Sequence, residues 1–267
     1  MKSGTTTLHG ALEIQPEVAM SAWKEPSFFS REERWRRGLE WYSNLFPREG
    51  LRGEASTSYT NPHYARVAAE RIRQLAPKAR LICLLRHPIE RLRSHYRHQV
   101  QHGREVRPLL DAVGDGESLY LRQSSYWSCI EPYVQRFPRE QILVVRFEDL
   151  TDENHRAWRA ILSHLGLGHR PFPSVVMNVT SSKRQYTSLL RWLWDRRIVT
   201  SSTRLPPSLR SLGLSLLTRA DSRYEALLAE SKVELPEHLS ALVWHDIERL
   251  EKWLKLDGQL WDRHEPV

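Results

Sequence analysis

Two short runs built wholly of apolar residues place the strongest limit on the fold. Leu81-Ile82-Cys83-Leu84-Leu85 and Ile142-Leu143-Val144-Val145 are too brief for helices of ordinary length, and neither alternates with polar residues. Runs of this kind are strands buried on both faces, the habit of parallel sheets covered by helices on either side. Around them lie stretches whose apolar residues recur at helical spacing. Thr5 to Gln15 carries Leu8, Ala11 and Leu12, and Asn61-Pro62 opens a helix bearing Tyr64, Val67, Ala68, Ile72 and Leu75 that Pro77 ends. Pro88 starts a long basic helix that Gly103 stops, and Ser125 to Phe137 is helical with Pro132 as a kink or break. Asp152 to Leu165, followed by Gly166, presents Trp158, Ile161, Leu162 and Leu165 on one side. Pro171 to Arg184 reads as loop, and Pro236 to Leu256 sets Leu239, Leu242, Val243, Leu250 and Leu254 in one stripe. Strands alternating with helices predict a three-layer α/β fold with a central parallel sheet, in one domain spanning 1–267.

Composition narrows the partners. Forty Lys plus Arg against thirty-two Asp plus Glu leaves a net charge of +8, which calls for something anionic: nucleic acid, a membrane surface, a sulfated or phosphorylated polymer, or a nucleotide. No apolar stretch is long enough to span a membrane, and the N-terminus carries neither a signal peptide nor a transit-like segment. Cys83 and Cys129 are too few for a disulfide framework or a cysteine zinc cluster. A soluble, cytoplasmic protein in a reducing compartment is expected, with no metal.

Lys2-Ser3-Gly4-Thr5-Thr6-Thr7-Leu8 is the most informative stretch. A glycine among small hydroxyl residues at a helix start lets successive N–H groups face an anion, with the helix dipole behind them. The plain alternative is Thr5 or Thr6 as an ordinary N-cap. The stretch is not a Walker A loop, which places its lysine after a second glycine, so an ATPase or nucleotide kinase lacks its signature. Such a loop is normally delivered by a buried strand, and only Met1 precedes Lys2.

Arg86-His87-Pro88-Ile89-Glu90-Arg91-Leu92-Arg93-Ser94-His95-Tyr96 follows directly on the first apolar run. Ligands of parallel α/β sheets bind at the carboxyl ends of strands, where Arg86 stands, with Ser94 about two turns into the next helix. A guanidinium and a hydroxyl there suit a phosphate. For most of Arg91, Arg93, Arg97 and Arg104 a solvated basic helix face is the simpler expectation.

Taken together, these motifs resemble the sulfotransferase superfamily that uses 3′-phosphoadenosine 5′-phosphosulfate (PAPS). Lys2 to Leu8 matches its 5′-phosphosulfate loop; Arg86, Pro88, Arg91, Ser94 and Tyr96 match its 3′-phosphate motif; Trp23-Lys24-Glu25-Pro26-Ser27-Phe28-Phe29 resembles a segment of its carbohydrate branch. Gly53-Glu54-Ala55-Ser56 and Phe137 to Leu150 are further family-like pieces, so the likeness covers about 1–185, leaving a helical part of about 186–267. The resemblance implies a P-loop NTPase-like fold whose first strand is missing from the N-terminus. It implies sulfuryl transfer from PAPS, without a metal, to a hydroxyl or amine of a carbohydrate, glycolipid or small-molecule acceptor.

By the same likeness Lys2 would contact the bridging and leaving oxygens, and Ser3, Gly4, Thr5, Thr6 and Thr7 would hold the 5′ phosphate. Arg86 and Ser94 would hold the 3′ phosphate. Glu25 would be the general base, His98 a second acid/base matching the N-sulfating branch, and Lys183 and Arg184 part of a basic loop closing over the cofactor. Ser27 and Ser30 stand where many members have histidine and aspartate. The alternatives are a nucleotide kinase, which should show a Walker A loop and a metal-holding acidic strand end; a nucleic-acid-binding module, whose charge should spread along a groove; and a truncated, non-catalytic relative, against which the preserved Lys2, Glu25, Arg86 and Ser94 argue.

Overall fold

The computed structural model describes residues 3–114, 116–152, 155–173 and 222–263. Its strands are β1 (Val18–Met20), β2 (Leu51–Gly53), β3 (Leu81–Leu85) and β4 (Ile142–Arg146). They form two parallel pairs, β1 with β2 and β3 with β4. In the second pair Leu81 lies opposite Ile142 and Leu85 opposite Arg146. The helices that cover them include α1 (Thr5–Glu13), α4 (Ala65–Leu75), α5 (Pro88–Gln101), α8 (Tyr126–Val134), α9 (Phe147–Thr151), α10 (Arg156–Leu165), α11 (Ser222–Glu230) and α12 (Glu237–Leu254). The short α2 (Glu32–Trp35) and α3 (Gly38–Ser43) precede β2, and α6 (Leu109–Val113) and α7 (Leu119–Arg122) follow α5.

Alternation along β3 and β4 sorts their side chains between two layers, as a strand's period of two requires. Ile82, Leu84, Leu143 and Val145 face α1 and α10, where Leu8, Ala11, Leu12, Trp158, Ile161 and Leu162 pack. Leu81, Cys83, Ile142 and Val144 face the other way, toward Ala68, Ala69 and Ile72 of α4 and Tyr133 of α8. Both faces of this pair are therefore covered, which gives the three expected layers. Val18 and Met20 of β1 join the α1 layer, so α1 packs on both strand pairs at once.

Several boundaries depart from expectation for local reasons. Asn61 does not cap a helix directly: its carbonyl accepts from Tyr64 N at 2.8 Å and from Ala65 N at 2.9 Å, forming a turn before α4 begins at Ala65. The single helix expected from Asp152 to Leu165 is α10 preceded by the separate short α9, and His155 between them is left-handed at φ 45°. Pro132 is accommodated inside α8. Leu242 is 55% exposed and does not belong to the buried stripe of α12; Asp246 is buried there instead. Gly166 ends α10 in the left-handed conformation, as a C-terminal glycine does. Most of the expected Pro171–Arg184 loop lies outside the described residues.

Candidate functional site

Helix α1 opens on Gly4 at φ 78° and ψ 15°, so the N-cap is the glycine rather than Thr5 or Thr6. A Cβ there would lie 2.2 Å from two ring carbons of Phe147, and any side chain would also hold a left-handed backbone, at a cost of about 1 kcal/mol. No side chain caps the helix and no acidic residue stands in its first turn. The leading N–H groups of a helix lack intrahelical partners and carry the positive end of its dipole, a setting that favours an anion. Ser3 and Thr7 are buried, Thr5 is half-buried and Thr6 is exposed. Lys2, Lys183 and Arg184 lie outside the described residues.

Arg86 leaves the carboxyl end of β3 and folds along α5, where its Nη2 donates to Glu90 Oε2 at 3.1 Å. Glu90 also meets Arg97 at 3.5 Å and Arg93 at 3.6 Å, so three guanidiniums share one carboxylate and the cluster is positive in sum. Ser94, one turn beyond Glu90, shares that face and is buried. The solvated face expected for the other arginines holds for Arg104, which is exposed, but not for Arg91 and Arg93. Arg91 is 1% exposed. It donates to Ser124 Oγ at 2.9 Å, to Gln123 Oε1 at 3.3 Å and to the Tyr120 carbonyl. Arg93 is covered by the turn after α11, donating to the Lys232 and Val233 carbonyls at 3.4 Å.

Tyr126 reaches the second motif: its hydroxyl donates to the Arg86 carbonyl at 2.7 Å, and the Ser3 side chain is among the groups that act on the phenol. The ring is buried, and burial holds the phenol above its ordinary pKa, so it stays a neutral donor. Asp246 of α12 fixes the start of α8 on which Tyr126 sits, accepting from Trp127 N at 2.6 Å and from Ser128 N at 3.1 Å.

Glu25 lies in a different part of the site. Its side chain is 42% exposed, bonded to Lys24 Nζ at 2.7 Å, and Thr57 Oγ1 donates to its Oε2 at 3.0 Å. Glu25 and Ser27 are both left-handed, at φ 62° and 53°, on either side of the buried Pro26. Phe28 and Phe29, both buried, anchor the segment; Phe28 stacks on Tyr42 with ring centroids 4.4 Å apart. Ser27 and Ser30 hydroxyls meet through Ser58, at 3.0 and 2.7 Å. Among the described residues no hydrogen bond or ion pair joins Glu25 to Arg86 or to the loop at Gly4. His98 lies on the Ser94 face of α5 with its ring 4.1 Å from that of His102, whose Nδ1 donates to the His98 carbonyl at 2.8 Å. His95 is buried between Arg91 and Gln99, in keeping with a structural part.

A profile of the sulfotransferase domain matches residues 1–188. The chain belongs to the sulfotransferase family. Among its relatives, heparan sulfate glucosamine 3-O-sulfotransferase 3B1 of Mus musculus is 30% identical over 177 residues, covering 62% of this chain and 44% of that protein. Bifunctional heparan sulfate N-deacetylase/N-sulfotransferase 2 of Homo sapiens is 26% identical over 191 residues, covering 62% of this chain and 21% of that protein. The match thus spans less than half the length of either. In fold, the chain is similar to a sulfotransferase from Alicyclobacillus acidocaldarius, with a TM-score of 0.64, 23% identity, and coverage of 96% of this chain and 93% of that one.

Within the sulfotransferase frame, three residues outside the expected set stand out: Tyr126, Glu54 and Asp246. Each is a buried or half-buried polar group; the partners of Tyr126 and Asp246 are distant in sequence, whereas Ser56 and Tyr59 lie two and five residues from Glu54. Glu54 did lie in a family-like piece, which was the one available signal. Among the described residues, no group of three His, Cys, Asp or Glu side chains is placed to hold a metal ion. No described helix is long and apolar enough to cross a membrane.

Proposed function

We propose that the chain, acting as one domain, transfers a sulfuryl group from PAPS to a hydroxyl or amine of a carbohydrate acceptor. The observation that carries this reading is Gly4, which packs against Phe147 just past the end of β4, beside the end of β3 from which Arg86 leaves, so the two phosphate motifs stand at the same carboxyl edge of the strand pair. The residues present fit the donor: a glycine whose missing Cβ leaves the loop close to Phe147, uncapped helix N–H groups, and a guanidinium cluster with a buried hydroxyl beside it.

When bound, PAPS supplies the sulfuryl group and leaves as adenosine 3′,5′-bisphosphate. The N–H groups and hydroxyls from Ser3 to Thr7 hold the 5′ phosphate, and Lys2 brings positive charge to the oxygen from which the sulfuryl group parts. Arg86 and Ser94 grip the 3′ phosphate, which separates this ligand from ATP. Glu25 accepts the proton of the acceptor hydroxyl or amine as the new bond to sulfur forms, and His98 serves as a second acid/base. On the family likeness, Lys183 and Arg184 would bring further positive charge to the bound nucleotide. The carbohydrate class is supported by relatives whose names place heparan sulfate as their substrate.

Calorimetric titration with adenosine 3′,5′-bisphosphate, 5′-AMP and ATP tests the donor site. The bisphosphate is expected to bind at least about tenfold tighter than 5′-AMP, with that margin lost in Arg86→Ala, since a charge-assisted bond contributes about 1.5–3 kcal/mol. Equal binding of all three nucleotides to folded protein would remove the assignment.

A further inference from the structure

The carboxylate of Glu54 lies just behind the Glu25 segment, and three hydroxyl groups converge on it. Tyr59 and Tyr42 donate to its Oε1, the latter at 3.2 Å, and Ser56 Oγ donates to its Oε2 at 2.7 Å. Each of two donors is also an acceptor for the backbone that carries Glu25. Ser27 N donates to Ser56 Oγ at 2.9 Å, and Phe29 N donates to Tyr59 Oη at 3.3 Å. A third link runs along the main chain next to Glu54, where Glu25 N donates to the Ala55 carbonyl at 3.1 Å.

The direction of these bonds matters. A hydroxyl has one proton, and here each directs it to a Glu54 oxygen; burial raises the Glu54 pKa while the three hydroxyl bonds pull it back down. With their protons so directed, Ser56 and Tyr59 turn lone pairs toward the N–H groups of Ser27 and Phe29. Those two N–H groups belong to the stretch with two left-handed residues, a conformation that persists only when its surroundings over-determine it. Aromatic packing of Phe28 and Phe29 holds one end of the stretch; the Glu54 network holds its backbone.

We propose that Glu54 is a positioning residue for Glu25: through Ser56 and Tyr59 it locks the Glu25–Phe29 backbone and so aims the Glu25 carboxylate at the acceptor. The proposal rests on the reading of Glu25 as the base, and its first test does not. Hydrogen–deuterium exchange of wild-type protein and Glu54→Gln is followed over peptides covering 22–30. An amide has one accepting oxygen where the carboxylate has two, so Gln cannot satisfy all three hydroxyls. Exchange of the 22–30 amides is expected to rise at least about tenfold with the rest of the chain unchanged. Unchanged exchange in 22–30 overturns the proposal, and so does a rise spread over the whole chain. If Glu54→Gln does not fold, Ser56→Ala cuts the link to Ser27 alone and carries the same expectation.

The second readout is transfer from labelled PAPS to partially desulfated heparin. Glu54→Gln is expected to lower kcat by about tenfold or more while KM for PAPS and affinity for adenosine 3′,5′-bisphosphate stay within about twofold, the signature of lost alignment rather than lost donor binding. A wild-type kcat in Glu54→Gln overturns the proposal. A wild-type kcat in Glu25→Gln overturns the base assignment instead, and the exchange measurement still decides whether Glu54 holds the segment.

Discussion

The Tyr126 hydroxyl donates to the Arg86 carbonyl at 2.7 Å, so a buried phenol of α8 holds the turn that follows β3. Replacing it with phenylalanine keeps the ring and removes that bond. Tyr126→Phe is expected to weaken binding of adenosine 3′,5′-bisphosphate by about five- to tenfold, the equivalent of one buried hydrogen bond of about 1 kcal/mol. Calorimetry on folded protein measures this directly; wild-type affinity would mean that the Arg86 turn is held by something else.

Gly4 and Phe147 make a second testable pair. Gly4→Ala places a Cβ against the Phe147 ring in a left-handed backbone and is expected to cost about 2–4 kcal/mol. Phe147→Ala in the same chain should relieve the clash but not the backbone strain, giving a coupling energy of about 1 kcal/mol or more in a urea-denaturation cycle. Additive effects would show that the ring moves aside at no cost.

The Arg91 guanidinium is held by groups without formal negative charge: Ser124, Gln123, His95 and the Tyr120 carbonyl. Burial lowers its pKa, yet it remains the donor that satisfies this cage. Arg91→Met is expected to destabilise by about 2–4 kcal/mol, because it strands several buried acceptors at once. Arg104→Met, on the exposed end of the same region, should change stability by no more than about 0.5 kcal/mol. Comparable effects from the two variants would contradict the burial argument.

His9 should make stability fall on acidification. Burial lowers its pKa, Glu13 works against that, and Lys24 adds to it. The folded state therefore binds the proton less readily than the unfolded chain, whose histidine titrates near 6.5. The neutral form's stability is intact above that pH and is lost as pH falls through the window down to the lowered folded value. Relative to His9→Gln, wild-type protein should lose stability below pH 6.5 with a slope of at most one proton, about 1.4 kcal/mol per pH unit. Thermal denaturation of both proteins between pH 5 and 8 checks it, and a constant difference would refute it.

The thiols should be inert. Burial pushes Cys83 and Cys129 up to about 12, which leaves roughly one part in ten thousand as thiolate at pH 8. Iodoacetamide is expected to label neither in native protein and both after denaturation, as read by intact mass.

What was legible in the sequence follows from how local each signal is. Leu81–Leu85 and Ile142–Val145 could hardly be anything but strands, and Pro88 and Gly166 mark helix ends by their own backbone chemistry. Val18–Met20 and Leu51–Gly53 went unread because three residues are too few to show a period. The basic face of α5 was misjudged at Arg91 and Arg93, since nothing local reveals that Ser124 and the turn after α11 cover it. Asp246 displaced Leu242 from the buried stripe because it caps α8, 118 and 119 residues away in sequence. The glycine loop and Arg86 were visible as motifs, whereas Tyr126 acquires meaning only from Arg86, brought to it by the fold, and Glu54 from the Ser27 and Phe29 amides that its hydroxyl partners hold.

One feature of the architecture bears on how the molecule yields. Parallel pairs β1–β2 and β3–β4 share no ladder among the described residues, and α1 packs against both. Across that seam the two pairs are held by side chains, those of Leu8, Ala11 and Leu12 foremost, and packed side chains slide where a ladder would have to break. The nine-residue helix that opens on Gly4 is therefore the common support of both pairs, and a substitution in its apolar face is felt on each.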